Sequence, residues 1–393
     1  EQAFKEFRNK NQYSTAHLTH TINKRPEECI ELLRLYMGVA MDRLYVEHIH
    51  NDTVKKQVED IVERLKKELN DTIHEADWIN ETVKTEMSEK LRNTTVVIGH
   101  PETLLNQTVL EELYEDIPTI ETSTSFLEIF KILYEHNYRW KFQIHLEPFR
   151  GRKLWSPSDS EDKFLYSETN QQVEIPWALL QPPFYEDGLP RSLGYGALGA
   201  KIAQGLIGAI DIKPIITSAF GKKDAKRGNI NNSEIDNKTD CFLEQYGQDS
   251  SYRTWVPPYT KHIEKLQGNI IDNAGLQLAF KAYTKVLGED CNGTDTRLEG
   301  LPDISGNELF FIAHGMILCK AMSTQDDMLW NWPPGWDDTR SENWERVNMP
   351  VTNIKAFSTA FNCSEDSKMF YKPTESCTFL ISPGGQTYSG ALD

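Results

Sequence analysis

The chain has no run of about 18 uncharged apolar residues. Its best candidate is interrupted by Lys201 and Asp211, so no transmembrane helix is expected. It also lacks an excess of positive charge: 42 Lys+Arg against 59 Asp+Glu give a formal charge of −17. That balance argues against nucleic acid or an anionic membrane surface as the main partner. No G-x-S-x-G nucleophile elbow or Walker loop occurs. No C-x-x-C pair suggests structural zinc or thioredoxin-like chemistry, and nothing repeats internally. His74-Glu75 starts an H-E-x-x-H pattern, but Trp78 stands where the second histidine belongs. Nothing at Glu1 resembles a signal peptide, so the expectation is a mature product or a piece of something longer.

What is present fits a folded extracellular protein. The 393 residues suffice for about two or three domains, and 39% hydrophobic with 10% aromatic residues excludes wholesale disorder. Nine N-x-S/T sequons begin at Asn51, Asn70, Asn80, Asn93, Asn106, Asn231, Asn237, Asn292 and Asn362, against about three expected by chance from the composition. Six cysteines (Cys29, Cys241, Cys291, Cys319, Cys363, Cys377) fit disulfides in the same compartment. A secreted glycoprotein is the expectation.

Hydrophobic spacing makes the first third helical. Ile30, Leu33, Met37, Met41 and Leu44 recur on one helix face; Val54, Val58, Ile61, Leu65 and Leu69 recur on another. Asp77 is the expected N-cap of a third helix carrying Trp78, Val83, Met87 and Leu91. Arg139–Leu146 alternates apolar and polar residues, which predicts a strand with a domain boundary near it; Val173–Pro176 predicts a weaker strand. Leu193–Ile210 is dense in small and apolar residues, as a helix inside a packed domain requires. Residues 220–238 predict a surface loop, with a short basic run, Lys222–Arg227, that is a solvated loop or protease target. Further helices are expected at Ile271–Val286, Glu308–Ala321 and Asn353–Phe361, and an ordered loop at Trp330–Asp338. The class is mainly α with a small β component.

Several segments together resemble the neprilysin/endothelin-converting-enzyme family of zinc metallopeptidases. Pro176–Tyr185 (PWALLQPPFY) is similar to the family's P-A-G-I-L-Q-P-P-F-F, and Cys241–Tyr246 to its C-x-x-x-Q-Y. Gly268–Leu276 (GNIIDNAGL) resembles E-N-I-A-D-N-G-G-L. Glu308–Phe311, Phe357–Cys363, Asp77-Trp78 and Ile98–Pro101 continue the match. The resemblance implies a two-lobed, thermolysin-like zincin fold. Residues 1–138 would form part of the helical lobe that caps the cavity, and 139–393 the catalytic-type lobe. It covers the later part of the family's extracellular region.

In that family an H-E-x-x-H helix gives two zinc ligands and a general base, and the glutamate of E-N-I-A-D gives the third ligand. The chemistry requires those types: two imidazoles four apart share a helix face, and a carboxylate activates the metal-bound water. Here the histidine positions hold Gln204 and Gly208, the base position Gly205, and the third-ligand position Gly268. The expectation is a catalytically degenerate homologue with no metal and no cofactor. The backbone-clamping N-A-Y-Y segment corresponds to Lys163–Tyr166, and the oxyanion-stabilising histidine to Arg340. Asp272 and Arg346 keep the family's residue types and read as a buried ion pair rather than ligand contacts. His17/His20 and His48/His50 lack a third ligand, and His314 reads as a satisfied core histidine.

The resemblance also implies a Cys241–Cys377 disulfide. The cysteines matching Cys29, Cys319 and Cys363 pair in the family with an N-terminal portion, so a companion chain or segment joined through them is expected. The alternative is a chain that stands alone with its cysteines re-paired, for instance with Cys291. The leading functional expectation is a secreted pseudopeptidase whose interlobe cavity holds a peptide or protein ligand. The alternatives are a residual hydrolase with a relocated metal site and an architectural subunit of an extracellular assembly.

Overall fold

The computed structural model describes residues 25–146, 165–167, 171–210, 212, 215, 232–247, 258–319 and 341–381. The first periodic stretch forms helix α1 (Arg25–Ile49), which departs from helical geometry at Met37 (φ −132°). Helix α2 (Asp52–Glu75) buries Val54, Val58, Ile61, Leu65, Leu69 and Ile73 along one stripe. Its N-cap is Asn51, whose side-chain oxygen accepts from the N–H groups of Thr53 and Val54. Helix α3 (Glu81–Asn93) is capped by Asn80, accepting from Val83 N–H, and not by Asp77. Asp77 and Trp78 occupy the turn before it, with the Trp78 ring edge-on to Phe379 at 5.2 Å.

Strand β1 (Thr95–Gly99) and helix α4 (Gln107–Leu113) follow, then helix α5 (Phe126–Leu146). The expected strand at Arg139–Leu146 is therefore corrected: these residues are the last turns of α5. Period-two alternation there coexists with a longer row, Phe126, Phe130, Tyr134, Tyr138 and Phe142, spaced by four. Its neighbouring rings lie 6.3, 6.3, 6.4 and 4.8 Å apart up the helix. Such i,i+4 pairs support a helix and meet no strand partner. Tyr36 of α1 packs edge-on against Phe130 at 5.4 Å, joining the two helices.

The small sheet has the order β1-β3-β2, with β2 at Leu165–Ser167 and β3 at Gln172–Pro176. β1 runs parallel to β3, Thr95 opposite Gln172, and β2 runs antiparallel to it. The sheet thus unites residues from both sides of position 139, and α5 runs unbroken across that position.

The small-residue segment forms α6 (Arg191–Gly194), a π-helical turn (Tyr195–Gly199) and α7 (Ala200–Ala209), almost wholly buried. A Cβ on Gly196 would run into the Phe310 carbonyl, so only glycine lets this segment lie on the helix that carries Phe310. Helix α8 (Asn232–Gly247) takes in the end of the expected loop; residues 220–231 lie outside the described residues. Helix α9 (Pro258–Asp290) extends well beyond the expected Ile271–Val286. Helix α10 (Gly306–Met316) starts at a Ser305/Glu308 capping box and ends short of Ala321. Helices α11 (Asn343–Thr352) and α12 (Lys355–Ala360) complete the order. The expected loop at Trp330–Asp338 lies outside the described residues.

Helix α9 is the central beam. It packs against α7, α2 and α11, and Phe280 and Tyr283 stack with Phe310 and Phe311 of α10 in the core. Across α2 and α9, the buried carboxylate of Glu68 takes Lys281 at 2.9 Å and Lys285 at 3.0 Å. No helix among the described residues is long and apolar enough to cross a membrane.

Candidate functional site

The site begins where α7 and α9 touch. A Cβ on Gly275 would lie 2.6 Å from Gln204 Cγ and 3.0 Å from its backbone nitrogen. Glycine at 275 therefore brings the two helix backbones into direct contact and fixes the α7 face that carries Gln204. Gln204 and Gly205 are buried, and Gly208 is half-buried, with nothing within 4 Å of where its Cβ would stand. Gly268, also half-buried, sits one turn before Asp272 on α9.

Zinc does not fit this donor set. Zinc takes imidazole, thiolate or carboxylate, and these four positions supply one neutral amide and three glycines. No group of three or more His, Cys, Asp or Glu side chains gathers elsewhere among the described residues in a way that could hold a metal. His48 and His50 lie at and just past the end of α1, and His74 in the last turn of α2. His17, His20, Lys163, Phe164, Lys222–Arg227 and Arg340 lie outside the described residues.

Asp272 and Arg346 form a two-pronged pair: Arg346 Nε donates to Asp272 Oδ2 at 2.7 Å and Nη2 to Oδ1 at 3.2 Å. Both are buried, at 5% and 7% exposure. Burial pulls the guanidinium pKa down, Asp272 more than offsets it, and the net shift is upward. Beside the pair, Tyr246 Oη accepts from Asn273 Nδ2 at 2.8 Å, and its own pKa is driven well up by burial. Asn353 Nδ2 donates to Asn273 Oδ1 (2.7 Å) and to Gln245 Oε1 (2.9 Å), while Gln245 Nε2 donates back to Asn353 Oδ1 (2.9 Å). The Cys377 N–H also donates to Asn353 Oδ1, at 2.9 Å. A disulfide joins Cys241 to Cys377, with Cα atoms 5.7 Å apart. The residues of C-x-x-x-Q-Y and of the D-N pair in GNIIDNAGL thus tie α8, α9, α11 and the C-terminal segment together through one hydrogen-bonded network.

His314 on α10 departs from expectation. It is fully buried, yet neither ring nitrogen has a hydrogen-bond partner among the described residues. Burial lowers its pKa to about 4; Asp272 and the Arg346 backbone pull the other way, and Lys201 and the Arg346 charge add to the lowering. Such a group stays neutral in the folded chain and titrates near its ordinary value when unfolded. Its contribution is therefore present above about pH 6.5 and is lost as pH falls toward 4. His100 behaves alike: its Nδ1 accepts from Trp177 Nε1 at 2.8 Å, and burial, then His50 and Lys55, lower its pKa to about 4. His314→Phe, beside Phe310 and Phe311, is expected to raise stability at pH 5 and flatten the pH dependence of the urea midpoint between pH 6.5 and 4. An unchanged slope would show that His314 does not titrate in this way.

Several sequons have local backbone roles. Asn51, Asn80 and Asn106 are helix N-caps, and Asn292 and Asn362 adopt left-handed φ of 50° and 48°. Asn51, Asn93, Asn106, Asn237, Asn292 and Asn362 are exposed, Asn70 and Asn80 half-buried, and Asn231 lies outside the described residues. Cys29 and Cys319 are exposed free thiols, and Cys291 and Cys363 are free and half-buried. Sequence reasoning missed Asn353 and Gly275. The first lies in no motif considered, and the second was read only as part of one.

A model of peptidase family M13 matches residues 164–377, and a second M13 model, of the N-terminal region, matches 2–101. Neprilysin-1 of Caenorhabditis elegans is 26% identical over 358 residues, 90% of this chain and 45% of its own length. Membrane metallo-endopeptidase-like 1 of Mus musculus is 26% identical over 356 residues, 88% of this chain and 44% of its own. The chain spans less than half the length of these relatives. In fold it is similar to PepO from Lactobacillus rhamnosis HN001, with TM-score 0.64, 19% identity and 88% of this chain against 50% of that one. It is similar also to a chain of the Haemonchus galactose containing glycoprotein complex, with TM-score 0.67, 20% identity and 90% against 56%. With one family model spanning more than half of its residues and the helical, small-sheet fold of the solved M13 enzymes, this chain belongs to peptidase family M13.

Proposed function

We propose that this chain is a secreted, glycosylated M13 pseudopeptidase that holds no catalytic zinc and acts by binding a peptide or protein. What supports the reading is the donor set: Gln204, Gly205, Gly208 and Gly268 occupy the positions that the resemblance assigns to the family's two histidines, base and acidic ligand. A hydrolytic metal centre needs all of these chemistries together, and three of the four positions have no side chain. The buried Asp272–Arg346 pair and its network then keep the interior in shape, with no ligand histidine for Asp272 to orient.

A companion polypeptide, or a further segment of the same protein, completes the assembly. Two features support it. The α1/α5 pair leaves large apolar side chains open to solvent, Leu127 at 73% exposure and, further along α5, Tyr134, Tyr138 and Phe142 of the aromatic row. A second face, at α10–α12, exposes Met316, Trp344 and Phe361. Free thiols accompany both: Cys29 on α1, and Cys319 and Cys363 beside α10 and α12. Contiguous apolar surface of this kind marks interaction sites. In this arrangement α1, α4 and α5 belong to the capping lobe, while α2, α3 and β1 pack with the catalytic-type lobe.

Metal analysis of the purified chain tests the central claim. Zinc well below one equivalent, with no chelator-sensitive peptide cleavage, is expected. Gln204→His, Gly205→Glu, Gly208→His and Gly268→Glu in combination should raise the zinc content toward one equivalent. Gly208 has room for a side chain, and overpacking at buried Gly205 costs about 1–3 kcal/mol. Near-stoichiometric zinc with cleavage by the unmodified chain would sink the reading.

A further inference from the structure

β1 is an outer strand of the sheet, and among the described residues nothing pairs with its far side. Thr95 N–H donates to the Gln171 carbonyl at 3.1 Å. In a parallel register that places the backbone groups of Thr95, Val97 and Gly99 toward β3, and those of Val96 and Ile98 outward. Two outward carbonyls are already engaged. Lys66 Nζ donates to Thr94 O at 2.9 Å, and His100 N–H donates to Ile98 O at 3.0 Å. The Val96 N–H and C=O and the Ile98 N–H are left without partners among the described residues.

These groups border a groove of about 360 Å³ between β1 and α2. That volume lies within the range of about 300–1,000 Å³ typical of ligand pockets. The α2 wall carries Lys55, Glu59, Glu63 and Lys66, one helical face on which two positive and two negative charges cancel. Such a wall selects no charge sign, so recognition falls to the backbone. Donor, acceptor and donor at alternate residues match the valences of an extended chain. A helix has no free backbone groups to offer them.

We propose that the groove between α2 and the outer edge of β1 takes an extended polypeptide segment of another molecule, added to the sheet as a fourth strand. The pairing is strand addition, in which main-chain hydrogen bonds supply affinity. Lys66 acts as a guard: its ammonium occupies the Thr94 carbonyl and shortens the edge open to pairing. The proposal does not rest on the loss of the zinc ligands, and would hold for an active or an inactive M13 chain.

The test uses the full chain and a fluorescein-labelled, end-blocked peptide, Thr-Val-Glu-Val-Lys-Val, with a counterpart N-methylated at every backbone nitrogen. Saturable anisotropy is expected for the first peptide, and at least ~10-fold weaker binding for the second. Hydrogen exchange should slow at the Val96 and Ile98 amides when the first peptide is bound. Val96→Pro removes an outward N–H that makes no native bond, as an edge strand tolerates, and should weaken binding ~10-fold with unchanged circular dichroism. Lys66→Ala frees the Thr94 carbonyl and should tighten binding several-fold. Equal binding of the two peptides overturns the proposal, as does a folded Val96→Pro variant that binds normally, or no binding up to about 1 mM. Should Val96→Pro fail to fold, the comparison of peptides on the native chain decides alone.

Discussion

Arg346→Ala is expected to lower the unfolding free energy by about 3–5 kcal/mol, the usual cost of removing one partner from a buried ion pair. The pair is buried on both sides, and removing the guanidinium takes both of these hydrogen bonds from Asp272. Against a total stability of about 5–15 kcal/mol, the variant would be marginal at 25 °C. Urea unfolding followed by tryptophan fluorescence measures it. The informative partner is the double variant Asp272→Leu/Arg346→Met, which removes both charges and should recover most of the loss. If it is as unstable as Arg346→Ala, the charge left behind is not the cause and the hydrogen-bond geometry is. Arg346→Lys should remain substantially destabilised, because an ammonium cannot reproduce the two-pronged contact. A loss below about 1 kcal/mol for Arg346→Ala would place the pair in effective contact with water.

Replacing both Cys241 and Cys377 by alanine should cost about 4–5 kcal/mol, since their sequence separation of 136 makes the closed loop a long one. The structure gives a reason for the bridged ends to stay close without the bond. Cys377 N–H is held by Asn353, and Asn353 is held in turn by Gln245 on the same helix as Cys241. The folded state of the double variant should therefore keep its local geometry, and the loss should arise from a freer unfolded chain. Equilibrium unfolding in urea tests this: the midpoint should drop with little change in the native spectrum. An unchanged midpoint would mean that the polar network alone fixes the C-terminal segment.

Much of this architecture was legible as pattern. The stripe Val54, Val58, Ile61, Leu65, Leu69 became the buried face of α2, and Val173–Pro176 became β3. The segment at 139–146 failed because eight residues can satisfy period two while a row spaced by four runs through them from Phe126. Asp77 lost the cap to Asn80 for a similar reason. Both are good N-cap residues, and only the turn at Asp77–Trp78, with Trp78 packed on Phe379 far along the chain, moved the helix start.

At the candidate site the division is sharper. The sequence by itself determined which chemical groups are available at residues 204, 205, 208 and 268, because a glycine presents no ligand whatever the fold around it. It also marked Asp272 and Arg346 as partners through their resemblance to a known pattern. Only the tertiary structure decided what those groups meet. Asn353 gathers Gln245, Asn273 and Cys377 from three separate stretches; Gly275 lets α7 and α9 touch at Gln204; and His314 is sealed in with neither ring nitrogen partnered among the described residues. The physical reason is that side-chain chemistry is local and additive along the chain, whereas burial and hydrogen-bond satisfaction depend on residues far apart in sequence that come within about 3 Å only when the helices pack.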